Sequence, residues 1–131
     1  MAKPNWNEIL GWTTEQIDDL RLLGFSYLKQ GKYDVATPIF EALVLLAQDS
    51  AYDLQTLGAL YLETGQNLQA LNTIEQALKI DPAHDTTLLN RTKVLFALGY
   101  KRQALAQAKA LELLSNQDVA NQAKALLLAH S

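Results

Sequence analysis

Leu54-Gln55-Thr56-Leu57-Gly58-Ala59-Leu60-Tyr61-Leu62-Glu63-Thr64-Gly65, followed by Ala70, Ile74, Ala77 and Pro82, carries the pattern from which the architecture of the chain can be read. Its apolar residues recur at three- and four-residue spacing, the signature of a helix with one buried face. A residue without a side chain at Gly58 lets a second helix approach closely, and Gly65 can end the first helix in a left-handed conformation. The segment therefore reads as a helical hairpin. The same pattern returns 34 residues upstream as Leu23, Gly24, Tyr27, Gly31, Ala36 and Phe40, and 34 residues downstream as Leu88, Leu95, Gly99, Ala104 and Ala108. The chain is a repeat array.

The 131 residues suffice for one domain, and 49% hydrophobic residues with only 8% aromatics suit a Leu/Ala-rich helical core. With no cysteine, disulfides and thiolate metal sites are excluded, which is compatible with a reducing compartment. The N-terminus lacks the apolar run of a secretory signal, and no stretch approaches the roughly 20 apolar residues of a membrane span, so no stable membrane insertion is expected. The formal charge of −3 is unevenly spread. Residues 1–85 carry twelve acids against five bases (−7), whereas residues 86–131 carry two against six (+4). That asymmetry could orient a partner. The bases are dispersed and not interleaved with aromatics, so nucleic acid is not an expected ligand.

Taken in order, residues 1–13 form an N-terminal cap in which Trp6, Ile9, Leu10 and Trp12 share one side of a short helical turn ended at Gly11. They either cover the first repeat or present Trp6, Ile9 and Trp12 to a partner or a second copy. Thr13 and Gln16 have capping-box spacing at the start of the first repeat, 14–48. The second helix of that repeat starts near Lys32, with Pro38 expected in its first turns. The second repeat spans 51–82, with helices at 51–64 and 67–80, and the third spans 85–116, with helices at 85–98 and 101–114. A last helix at 118–130, with Val119, Ala120, Ala123, Leu126 and Leu127 on one side, reads as a C-terminal cap.

With these residues in phase, the chain resembles the tetratricopeptide (TPR) repeat family over roughly residues 17–116. Repeat two matches the family pattern closely, through Leu54, Leu57, Gly58, Tyr61, Ala70, Ile74, Ala77 and Pro82. Repeat three departs most, with Arg91 and Thr92 where the family favours Leu and Gly. The resemblance implies an all-α fold, a right-handed superhelix of three helix-turn-helix repeats between a short N-terminal helix and a C-terminal capping helix. A narrower resemblance rests on Gly24–Tyr33, Ala36, Phe40–Leu46 and Leu57–Ala59. These segments are similar to the class II (LcrH/SycD-like) chaperones of bacterial type III secretion systems. That resemblance implies a cytoplasmic, bacterial chaperone that keeps a secreted hydrophobic client soluble and export-competent. The client could be a translocator, a gatekeeper protein or a needle subunit, with a homodimer or a small co-chaperone as further partners. Fewer residues precede the first helix than is usual in that family, which leaves the dimer and the client open. The competing reading is a TPR scaffold or adaptor acting in a protein assembly.

The family geometry further implies which side chains line the concave groove: Arg21, Phe25 and Leu28 from repeat one, Tyr52, Gln55, Ala59 and Leu62 from repeat two, and Leu89, Lys93 and Phe96 from repeat three. Apolar residues would anchor an extended segment, and Arg21, Gln55 and Lys93 would pair with its backbone. For Leu28 and Leu62 a place in the core between repeats competes with the groove. The clamp with which other TPR arrays hold the acidic tails of Hsp70 and Hsp90 falls here on Arg21, Phe25, Thr56, Thr86 and Asn90, and four of the five lack the needed chemistry.

No catalytic residue, metal site or cofactor is expected. His84 and His130 are far apart in sequence and read as solvated, with no ligand partner at helical spacing. Asp18 and Asp19 point about 100° apart on a helix and mainly complement its dipole. No Gly-rich phosphate loop or nucleophile signature is present, so the chain does not read as an enzyme.

Overall fold

The computed structural model describes residues 4–131 except for the side chain of Asn7; residues 1–3 of the expected N-terminal cap lie outside the described residues. Among the described residues the chain forms eight helices: α1 (Trp6–Leu10), α2 (Thr14–Lys29), α3 (Tyr33–Leu46), α4 (Ala51–Glu63), α5 (Asn67–Ile80), α6 (Asp85–Ala97), α7 (Lys101–Leu111) and α8 (Gln117–Ala129). Each helix from α2 onward packs on the next, α4 also touches α6, and α6 also touches α8. Three hairpins, α2/α3, α4/α5 and α6/α7, are thus stacked in a TPR-like array, with α1 against α3 at one end and α8 at the other.

Local chemistry accounts for the boundaries. Thr13 and Gln16 form the expected capping box: the Gln16 amide donates to Thr13 Oγ1 at 3.1 Å, and the Thr13 amide donates to Gln16 Oε1 at 2.9 Å. Inside each hairpin a glycine closes the first helix, with φ of 73° at Gly31, 78° at Gly65 and 85° at Gly99. The amide beyond each glycine donates back five residues: Lys32 to the Tyr27 carbonyl, Gln66 to Tyr61 and Tyr100 to Leu95. This is the Schellman pattern, which satisfies carbonyls the helix leaves open.

Within the hairpins, spacing is set by what faces the helix crossing. A Cβ at Gly24 would stand 2.8 Å from Phe40 Cε2, and one at Gly58 would stand 2.7 Å from Ile74 Cγ1. Both are too close to fit, so glycine is required for packing there. In repeat three the corresponding residues are Thr92 and Ala108, both fully buried. A larger residue on the first helix is matched by a smaller one on the second, which explains the sequence departure at Thr92. The other departure, Arg91, ties neighbouring repeats together: its Nε donates to Glu75 Oε1 on α5, and one terminal nitrogen donates to Gln107 Oε1 on α7 at 2.9 Å.

The apolar interior has two clusters. The larger runs through Ile17, Ala36, Phe40, Leu43, Leu57, Leu60, Ile74 and Val94. The smaller joins Leu89, Leu111, Val119 and Ala123 of α6, α7 and α8.

Three local expectations change. Pro38 is the sixth residue of α3, past the first turn, so it removes a helix hydrogen bond, on an exposed face. Helix α7 stops at Leu111, short of Leu114, and residues 112–115 form turns and bends. His84 is half-buried and caps α6, its Nδ1 accepting from the Thr87 amide at 3.3 Å and lying 2.7 Å from Thr87 Oγ1.

Candidate functional site

On the face built by the first helices of the hairpins, α2 is joined to α4 through Arg21 and Asp53, α4 touches α6, and α6 touches α8. At the α2 end of this face, Phe25, Tyr52, Leu22, Asp18 and Arg21 line an apolar cleft of about 330 Å³. Phe25 and Tyr52 are 39% and 43% exposed, so both rings are available to a ligand. Tyr52 rests edge-on against the buried Phe40, with ring centroids 6.4 Å apart, and Lys29 Nζ lies 5.5 Å from the centre of the Phe25 ring. These contacts hold the two rings without covering them.

Arg21 is committed elsewhere. Its Nε donates to Asp53 Oδ1 at 2.7 Å, one terminal nitrogen to Asp53 Oδ2 at 2.8 Å, and the other to Asp18 Oδ1 at 2.7 Å. Asp53 is fully buried, and its backbone amide is capped by the Ser50 hydroxyl. The hydrogen bond to Asp53 holds the guanidinium pKa above its ordinary value, against the lowering effect of burial. Arg21 is therefore a clamp between α2 and α4 that forms one wall of the cleft.

The remaining candidate residues fall into separate environments. Leu28 and Leu62 are half-buried against the larger core, and Gln55 and Ala59 are half-buried on α4. Leu89 is only 2% exposed and packs in the smaller core with Val119 and Ala123, so it is a packing residue beneath α8. Lys93 donates to Gln122 Oε1 at 3.2 Å. Phe96 is stacked on His130, with ring centroids 3.9 Å apart and planes 9° from parallel. His130, read from the sequence as solvated, is thus half-buried on an aromatic ring. Helix α8 occupies the repeat-three end of the face, and the open part is the cleft between α2 and α4. Leu22, absent from the sequence-based set, is 68% exposed and belongs to that cleft. Its exposed position on an otherwise regular α2 stripe is the signal that could have revealed it.

At the N-terminus, Trp6, Leu10, Trp12, Ala42, Leu45 and Leu46 surround a second apolar cleft of about 320 Å³. Trp12 is half-buried against the larger core, whereas Ile9 is 63% exposed. Among the described residues no group of three or more His, Cys, Asp or Glu side chains could hold a metal ion, and no helix is long and apolar enough to cross a membrane.

This architecture has the fold of a tetratricopeptide-repeat array, and within it residues 54–84 match the tetratricopeptide repeat family model. No curated protein sequence matches the chain. Among solved structures, the chain resembles the type III secretion chaperone SycD of Yersinia enterocolitica in complex with a peptide of the translocator YopD, at 22% identity and a TM-score of 0.80, covering 90% of this chain and 94% of that one. It resembles PcrH, a protein of Pseudomonas aeruginosa, in complex with the chaperone binding region of PopD, at 26% identity and a TM-score of 0.73, covering 90% and 92%. It also resembles the first TPR of Spaghetti (RPAP3) bound to an HSP90 peptide, at 20% identity and a TM-score of 0.78, covering 90% and 92%. The shared feature is the fold.

Proposed function

We propose that the protein is a type III secretion chaperone that binds an extended apolar segment of a secreted client across α2 and α4. The observation that carries this reading is the open cleft of Phe25, Tyr52 and Leu22 on the face built by the first helices. Its support among known proteins is the likeness to SycD and PcrH in their peptide complexes. An aromatic or leucine side chain entering the cleft would contribute about 1.5–3 kcal/mol from buried area. Two such anchors, less the cost of ordering the segment, give a modest and releasable affinity.

The reading places the protein in the bacterial cytoplasm as a non-catalytic binder whose client is a translocator or gatekeeper protein. Its fold is equally close to that of the HSP90-peptide-bound domain, but the side chains argue against an acidic tail as ligand. At the clamp positions Arg21 is already bound to Asp53, Phe25 is apolar and Thr56 is buried.

Co-purification from the native cell tests the proposal. A secreted hydrophobic protein should accompany the chain, and Phe25→Ala and Tyr52→Ala should each weaken capture of its protected segment by about tenfold, as expected for roughly 1.4 kcal/mol of lost binding, with the thermal midpoint of Phe25→Ala nearly unchanged. Normal capture by both variants would exclude the cleft. The exposed apolar surface around Trp6, Ile9 and Leu10 favours a second reading, an adaptor or needle-subunit co-chaperone joined through its N-terminus. In that case Trp6→Ala abolishes partnership and the cleft variants do not.

A further inference from the structure

The outer face of α7 and the adjoining part of α8 combine the features of a second docking surface. Ala104, Ala108 and Leu111 are the buried side of α7. On other sides of the helix, Lys101, Arg102, Leu105, Ala106 and Lys109 line a cleft of about 600 Å³. Leu105 and Lys109 continue into an adjoining cleft of about 610 Å³ with Glu112, Leu113, Leu127 and Leu128. Leu113 and Leu128, at 84% and 73%, are the two most exposed large apolar side chains among the described residues. Leu113 owes its exposure to the early end of α7, which puts it in a turn.

Charge distinguishes this surface from the other apolar patches. Lys101, Arg102 and Lys109 face a single acid, Glu112, along the two clefts. Among the described residues the ion pairs are those of Arg21 with Asp18 and Asp53 and of Arg91 with Glu75, so these three cations are uncommitted. The surface lies in the part of the chain with excess positive charge, residues 86–131. A leucine-lined channel rimmed by free cations complements a ligand with an apolar ridge flanked by carboxylates. The channel follows α7 from Lys101 to Leu111, about 15 Å at 1.5 Å per residue or nearly three helical turns, and passes on to Leu113 in the turn beyond.

We infer that the α7–α8 channel docks an acidic amphipathic helix of a partner protein, with leucine-type side chains between Leu105, Leu113 and Leu128 and carboxylates beside Lys101, Arg102 and Lys109. Ridge-in-groove seating of this kind is how amphipathic helices are read. The site is separate from the α2–α4 cleft, so one chain can hold a client and a second protein together. The inference stands whether or not the proposed client is correct.

The probe is a synthetic peptide of about 13 residues, with Leu at helical i, i+3, i+4 and i+7 spacing and Glu at the other positions. It is titrated into the full chain by fluorescence anisotropy at low and high salt. The expected result is binding that weakens with salt, falls at least about tenfold in Lys109→Glu and in Leu113→Asp, and is unchanged in Phe25→Ala. Neither substitution should shift the thermal midpoint, because both side chains are exposed. Absence of binding overturns the inference, as does equal binding of the same peptide with Lys in place of Glu. So does preferential sedimentation of the chain with anionic phosphatidylglycerol vesicles, which would make lipid the occupant. Self-association that Leu113→Asp abolishes would make a second copy the occupant and would overturn it likewise.

Discussion

Arg21 and Asp53 join the first two repeats through two hydrogen bonds to a carboxylate that water does not reach. Removing one partner leaves the other buried and unpaired, so Arg21→Ala should lower stability by about 3 kcal/mol, read from urea denaturation. Replacing both, as Arg21→Met with Asp53→Leu, should return stability to within about 1 kcal/mol of the parent, because the desolvation of two charges then disappears with their attraction. Tyr61 offers a pH-dependent counterpart. It is buried and donates to Glu41 Oε2 at 2.6 Å; burial first, and then that hydrogen bond and charge, push its pKa from 10.0 up to about 12. The unfolded chain therefore loses this proton at lower pH than the folded one. The contribution of Tyr61 is fully present below pH 10 and is lost as pH rises toward 12. Urea midpoints measured across this range should fall with pH, and Tyr61→Phe should flatten that fall.

At the scale of the helix pair, stability turns on the match between a small residue on one helix and a larger one on its partner. Gly58→Ala puts a methyl group 2.7 Å from Ile74 Cγ1 and should cost about 1–3 kcal/mol through overpacking. Ile74→Ala, which removes Cγ1 itself and reproduces the small residue found at Ala108, should cost less in the Gly58→Ala background than alone, and calorimetric midpoints of the two single variants and the double variant test the coupling. Repeat three already carries such an exchange in Thr92 and Ala108. Much of this was legible in the sequence. The turn glycines, the Thr13 capping box and the alternation of long and small residues are local signals with local causes. Leu89 was not legible in the same way. Its helical position matches residues expected to line the groove, but the arrival of α8 turns it into core, and no signal on α6 announces that.

Over the whole molecule, the stacked first helices present a face whose two ends differ. At one end Phe25, Tyr52 and Leu22 are open, and at the other Lys93 is engaged by Gln122 of α8 and Phe96 by His130, the residue that follows α8. A client segment held on this face would therefore be gripped from the α2 side. The free cations of α7 lie elsewhere, beside the leucines of the α7–α8 channel. Open aromatic cleft and basic channel are two distinct surfaces on one array, suited to two different ligands.

By itself the sequence determined the repeat, its 34-residue period, the order of the helices and most of their ends, because glycine turns, caps and apolar spacing act within a few residues of chain. Which side chains on the face of the first helices remain free depends on the packing of helices far apart in the chain. Arg21 is drawn to Asp53 from a neighbouring repeat, Leu89 is covered, and Phe96 is paired with a histidine 34 residues further on. Those outcomes depend on contacts between helices distant along the chain, where packing and charge pairing compete with exposure, and periodicity within one helix carries no record of the partner that arrives.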